Sequence, residues 1–301
     1  MNYDDIQFPT LDGTILRGRF YRPSGPGPYP TVIAYVGIGG VAENVWDIAE
    51  HFTSAGLAVL AYDHRSMGYS DGEPRQLIDP WQQSRDARDA LTYLSQREDV
   101  DSDQIGLWGI SLGGAVSLFV AAVDPRVKAI VSIVPPVSGL SARGLFPAEQ
   151  LRELEQLALA DRIAILAGGS ATLLQTNGRR TPGGPPIMFE DPDGVEFTDD
   201  FQVFPSYRNE LALLSLSNLF EFEPIAYATR LTLPLLLVTA EEDTVAPVED
   251  ALEMYSHIPE PKQHWSYPGQ HYGILVRQYR EIIDRTGHWL AATLTSLDSD
   301  Q

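Results

Sequence analysis

Gly109-Ile110-Ser111-Leu112-Gly113 is the stretch from which the rest of this chain can be read. A short apolar run, Gln104-Ile105-Gly106-Leu107-Trp108, leads into it, and helically spaced apolar residues run out of it from Leu112 to Val123. A strand, a tight turn with serine at its apex and a helix form the context in which G-x-S-x-G marks a nucleophile elbow. Such a turn strains the serine backbone, so the positions two residues to either side must be tiny. Here they are Gly109 and Gly113. Gly114 and Ala115 allow the new helix to lie close to the sheet. Its first amides then face whatever Ser111 attacks. A chance match in glycine-rich sequence, an ordinary strand-to-helix turn, would need neither flank.

On the N-terminal side, alternating segments near Tyr3–Phe8 and Thr14–Tyr21 are joined by Leu11-Asp12-Gly13-Thr14, a strong hairpin signal. After the loop Pro23–Pro30 come a strand, Thr31–Tyr35, and a glycine-rich turn, Val36-Gly37-Ile38-Gly39-Gly40. A helix from Glu43 to Ala55 stops at Gly56, a strand follows at Leu57–Tyr62, and Trp81–Ser95 has helical spacing. Beyond the elbow, Val127–Ile133 is a strand closed by Pro135-Pro136.

The alternation then lapses. Residues 137–222 hold helical pieces, Ala148–Leu159 and Asn209–Phe220, and a loop with Thr181-Pro182-Gly183-Gly184-Pro185-Pro186. It resumes with strands Leu235–Ala240 and Gln263–Tyr267 and helices Val248–His257 and Tyr272–Thr293. Alternating strands and helices imply a mostly parallel eight-stranded sheet with helices on both faces, an α/β fold. The expected division is a core of residues 1–136 and 223–301, with 137–222 inserted as a helical cap.

Composition bounds the chemistry. The 301 residues, 44% hydrophobic, suffice for one large domain with a subdomain. There is no cysteine, which excludes disulfides, thiol catalysis and cysteine-ligated metals. A formal charge of −20, spread along the chain, repels nucleic acid and anionic membranes. Met1-Asn2-Tyr3-Asp4-Asp5 has no signal-peptide character, and no apolar run is long enough to span a bilayer. The expected protein is soluble and cytoplasmic and acts on a small molecule. Its oligomeric state, a homodimer included, is left open.

A serine hydroxyl needs a base, and the base needs an orienting acid. Behind a G-x-S-x-G elbow they follow in the order acid, histidine. Of six histidines, His271 lies in the loop Pro268–Gly273 after the last strand, at a carboxyl end of the sheet. His264 sits in a strand, and His257, His288 and His51 sit in helices. The loop Ala240-Glu241-Glu242-Asp243-Thr244-Val245-Ala246-Pro247 supplies the acid. Asp243 is preferred because its turn leads into the next helix, with Glu241 and Glu242 as substitutes. The oxyanion donors expected are the amides of Leu112, next after the nucleophile, and Ile38, in the bare turn Gly37-Ile38-Gly39. In the loop after the fourth strand, Asp63 is expected to hold loop amides, Arg65 to pair with a carboxylate, and His64 to be the residue able to reach a pocket.

With these residues in order, the chain resembles the α/β-hydrolase superfamily, and within it the dienelactone-hydrolase and X-Pro-dipeptidyl-peptidase-like branch, near polyketide transferase and thiohydrolase-type enzymes. Besides the elbow, Asp243 with Pro247, and His271, the resemblance rests on Leu11-Asp12-Gly13 with Leu16-Arg17-Gly18, and on Asp63-His64-Arg65-Ser66-Met67-Gly68-Tyr69-Ser70-Asp71-Gly72. Phe204–Asn209 and Leu219–Pro224 fit the narrower group. Many members carry His-Gly before the oxyanion residue, where this chain has Val36-Gly37. The resemblance implies a Ser-His-Asp hydrolase with neither metal nor organic cofactor.

The expected reaction is hydrolysis of an ester or thioester through an acyl-enzyme. Phe146, Phe189, Phe197, Phe201, Phe204 and Tyr207 are candidates to line an apolar pocket for a hydrophobic or aromatic acyl group, or else to pack the cap on the core. Acyl transfer and carbon–carbon cleavage by the same triad are the alternatives, followed by a non-catalytic ligand-binding role.

Overall fold

The computed structural model describes residues 2–179, 187–190 and 192–296. The Thr181–Pro186 loop lies outside them. β1 (Asn2–Pro9) and β2 (Ile15–Arg22) pair antiparallel. Gly13, at φ +88°, turns the chain between them, and the Asp12 carboxylate accepts the Thr14 amide at 3.1 Å. β3 (Tyr29–Tyr35) is followed by a 3-10 turn (Ala42–Val45), α1 (Trp46–Ser54), β4 (Ala58–Tyr62) and α2 (Pro80–Ser95). Asp79 caps α2 by accepting the Gln82 amide, and Pro80 occupies its first turn. β5 (Val100–Ile110), α3 (Leu112–Val123) and β6 (Val127–Ile133) complete the first half.

The stretch 137–222 holds α4 (Gly139–Gly144), α5 (Ala148–Leu166), β7 (Leu173–Asn177), β8 (Ile187–Phe189), α6 (Pro192–Asp199), β9 (Glu210–Ala212) and α7 (Ser215–Phe220). β10 (Leu235–Ala240), α8 (Val248–His257), β11 (Lys262–Tyr267), α9 (His271–Arg277) and α10 (Tyr279–Ser296) return to the main sheet.

That sheet has eight strands in the order β1-β2-β4-β3-β5-β6-β10-β11. All neighbours from β4 onward are parallel. Side-chain alternation divides the core. Ile33 and Tyr35 join Leu91, Leu94 and Val116 on one face, while Val32 and Ala34 join Phe52, Trp108 and Leu290 on the other. Trp108 donates its indole N–H to the Thr286 hydroxyl at 3.0 Å, satisfying a fully buried polar group. Because β3 leads to β4 on one side while β5 leads to β6 on the other, the loops leaving β3 and β5 diverge and open a crevice at their carboxyl ends.

Three expectations change. The stretch 137–222 is not only helical: β7, β8 and β9 form a three-stranded sheet. Within Asn209–Phe220 the first part is strand, because Leu211 and Leu174 stand opposite each other as buried partners and the Ala212 amide donates to Gln76 across the fold. A neighbouring edge outweighs local helical spacing. The last helix is two helices, interrupted at Gln278, because α9 packs on α6 whereas α10 packs on α1.

Candidate active site

Ser111 sits between β5 and α3 at φ +52° and ψ −122°, a conformation that L residues adopt only under constraint. Its amide donates to the Ile133 carbonyl at 2.7 Å, which pins the turn to the next strand. A side chain at 109 would collide with the Gly113 carbonyl, and one at 113 would lie 2.5 Å from the Val36 carbonyl. The two glycines of the motif are thus steric requirements of the turn.

Ser111 Oγ lies 3.0 Å from His271 Nε2, and His271 Nδ1 lies 2.7 Å from Asp243 Oδ2. The other Asp243 oxygen accepts the amides of Val245 and Ala246 at 2.9 and 2.8 Å. Both carboxylate oxygens are therefore held, and the ring has one orientation. All three residues are buried, whereas Glu241 and Glu242 are exposed. His271 is not in a loop: it is the first residue of α9, placed there by the turn at Gly269, φ +121°.

Leu112 opens α3, so its amide has no carbonyl four residues back within the helix. Ile38 lies beside Ser111 in the turn after β3. Val36 packs its side chain over Gly40. Asp63 braces this turn: Oδ1 accepts the Ala42 amide at 2.6 Å and Oδ2 the Tyr69 amide at 2.7 Å. Burial pushes its carboxyl up to about 6 against those two bonds. Arg65 forks onto both oxygens of the buried Asp86, at 2.8 and 2.7 Å, and onto Asp12 at 2.8 Å. His64 reaches neither cavity at Ser111. It stacks on Tyr35 and meets Tyr62 edge-on, and burial pushes its imidazole down to about 4.

Two cavities meet at Ser111, sharing Ser111, Ile38 and Tyr272. One is lined by His271, Asn44, Asn177, Phe197, Phe201 and Tyr207. The other is lined by Leu112, Phe146, Met188, Phe189, Phe220 and Phe222. Phe204 lines neither. Both are narrow: the room left for water-sized contents is about 30 Å³ in the first and about 80 Å³ in the second. Sequence reasoning missed Asn44, Asn177, Tyr272, Phe220 and Phe222 as lining residues. Nothing in their local spacing marks them as a group, since they come from four separate elements and a loop. Among the described residues, no cluster of side chains suits a metal ion and no helix is long and apolar enough to cross a membrane.

A family model, X-Pro dipeptidyl-peptidase (S15 family), matches residues 12–273. The polyketide transferase claH of Penicillium crustosum is 31% identical, with 97% of this chain and 98% of that one covered. The thiohydrolase aneE of Aspergillus aculeatus is 32% identical over 91% of this chain and 88% of its own. The crystal structure of the α/β-hydrolase GrgF from Penicillium superposes with a TM-score of 0.84 at 28% identity, covering 98% of this chain and 100% of the other. From its elbow to its closing helices, then, the chain belongs to the X-Pro dipeptidyl-peptidase (S15) family of the α/β-hydrolase superfamily.

Proposed function

We propose that the protein is a serine hydrolase that cleaves an ester or thioester of a hydrophobic acyl group through Ser111, His271 and Asp243. The observation that carries this reading is His271, bonded at one nitrogen to the Ser111 hydroxyl and at the other to the Asp243 carboxylate. His271 takes the serine proton as Oγ attacks the carbonyl, and Asp243 holds the ring in the tautomer that leaves Nε2 free to accept. The Leu112 and Ile38 amides receive the oxyanion. Collapse expels the alcohol or thiol, protonated by His271, and leaves Ser111 acylated. A water molecule, deprotonated by His271, then releases the acid. Residues 137–222 act as the cap, and 1–136 with 223–301 as the core.

Acyl transfer, with an alcohol in place of that water, is the second reading. It is favoured by the narrowness of both cavities and by relatives named as transferases. The test is the intact mass of the protein after exposure to a fluorophosphonate. One adduct on the wild type, absent in Ser111→Ala and strongly slowed in His271→Ala, is expected. A folded wild type that takes no adduct would refute the reading.

A further inference from the structure

The two cavities differ in which part of the triad they contain. His271 lines only the first, and Leu112 only the second. The imidazole must reach the atom that leaves during acylation and the atom that attacks during deacylation. The cavity containing His271 therefore holds the leaving group, and by microscopic reversibility the acceptor. The cavity of Phe146, Phe189, Phe220 and Phe222 holds the acyl chain, and its lining is almost wholly apolar.

The His271 cavity is different. Asn44 and Asn177 both line it, and they are only 4% and 2% exposed. Asn44 Oδ1 accepts the Val41 amide at 2.7 Å, which fixes the orientation of the group, and its Nδ2 is left without a partner. Asn177 Nδ2 makes a long contact of 3.4 Å with the Tyr272 hydroxyl, and its Oδ1 is left without a partner. Whichever way the Asn177 amide is turned, Tyr272 meets one end and the other has no partner. Buried amide groups without partners are costly, about 1–3 kcal/mol each, and a ligand that pairs with them relieves that cost.

Resting on the serine-hydrolase reading above, we propose that Asn44 and Asn177 are specificity-determining residues which bind a hydroxyl on the alcohol or thiol portion of the substrate, a hydroxyl distinct from the reacting atom. A hydroxyl accepts from Asn44 Nδ2 and donates to Asn177 Oδ1, and it is the smallest group that answers both. The substrate class is an ester or thioester with an apolar acyl part and a hydroxylated leaving part.

The experiment compares kcat/KM for hexanoate esters of short linear diols with the esters of the matching mono-alcohols. The acyl-enzyme is the same for both, so the ratio reports the leaving-group cavity alone. Asn44→Asp retains an oxygen that accepts from Val41 and replaces the unpartnered donor with a carboxylate oxygen, which cannot donate. Asn177→Leu spares the backbone bonds to Asn209, which involve the Asn177 N–H and carbonyl. The wild type should prefer the best diol ester by about tenfold, the size of one or two net hydrogen bonds, and each variant should lose that preference. Either variant alone suffices if the other fails to fold. Ala142→Phe, in the acyl cavity, should depress both members of each pair alike. A wild-type ratio near one, a ratio unchanged in the folded variants, or a ratio altered by Ala142→Phe overturns the proposal. Failure of every ester and of the fluorophosphonate to acylate Ser111 instead overturns the serine-hydrolase reading.

Discussion

A methyl group placed on Gly37 would lie 3.2 Å from the Cβ of Ser111. The turn that carries the proposed Ile38 donor is thus pressed against Ser111, and one of them must yield if position 37 gains a side chain. Gly37→Ala should lower kcat about tenfold and Gly37→Val more, with KM changed much less, because a displaced oxyanion donor acts on the transition state; its complete loss costs about 2.7–4 kcal/mol. Steady-state kinetics check this. An equal effect on KM would mean that the turn contacts bound substrate instead.

Asp243 Oδ1 is occupied by two amides, so in Asp243→Asn the amide oxygen takes that place and the NH₂ faces His271. Two donors then meet unless the ring adopts the other tautomer, which puts the proton on Nε2 against Ser111. The expected loss in kcat is on the order of 10⁴, with the fold retained. Esterase rates together with a thermal melt of the variant test it; a loss below about tenfold would remove Asp243 from the proposed triad.

His64 and Asp63 oppose each other in acid. The folded His64 imidazole, at about 4 instead of 6.5, stays neutral where the unfolded chain takes up a proton. Its contribution to stability is present above about pH 6.5 and is lost as pH falls toward 4. Asp63, at about 6 instead of 3.8, keeps a proton that the unfolded chain releases, so its contribution is present below about pH 3.8 and lost as pH rises through 6. His64→Phe retains a ring between Tyr35 and Tyr62 and removes only the first effect. Relative to wild type, the variant should gain about 2 kcal/mol between about pH 7.5 and about pH 5. Urea melts at the two pH values measure this, and an unchanged difference would contradict it.

Arg65→Met should destabilise the protein by about 3–5 kcal/mol, because it strands the Asp86 carboxylate, whose side chain is fully buried. Breaking the exposed Arg143–Glu155 pair with Glu155→Gln should cost less than about 1 kcal/mol. Denaturant midpoints of the two variants should separate clearly.

The sheet and the glycine-flanked turn at Ser111 were legible in the sequence because each is a local signal. Gly109 and Gly113 mark a turn that only small residues enter, and apolar periodicity marks Val127–Ile133 and Leu235–Ala240 to the residue. The stretch 137–222 was less legible. The Leu211 segment has helical spacing, yet it becomes a strand because Leu174 presents an edge to it from far along the chain.

By itself the sequence determined the α/β architecture and which serine, histidine and aspartate stand at strand ends, since backbone propensity, side-chain period and glycine sterics act over a few residues. Only the tertiary structure decided that Asn44 and Asn177 share one cavity with His271, that Phe146 and Phe222 line the other, and that His64 is enclosed by tyrosines. Such groupings are set by how segments distant in the sequence pack together around Ser111. The desolvation that moves His64 and Asp63 from their ordinary titration follows from the same packing, and no stretch of sequence carries it.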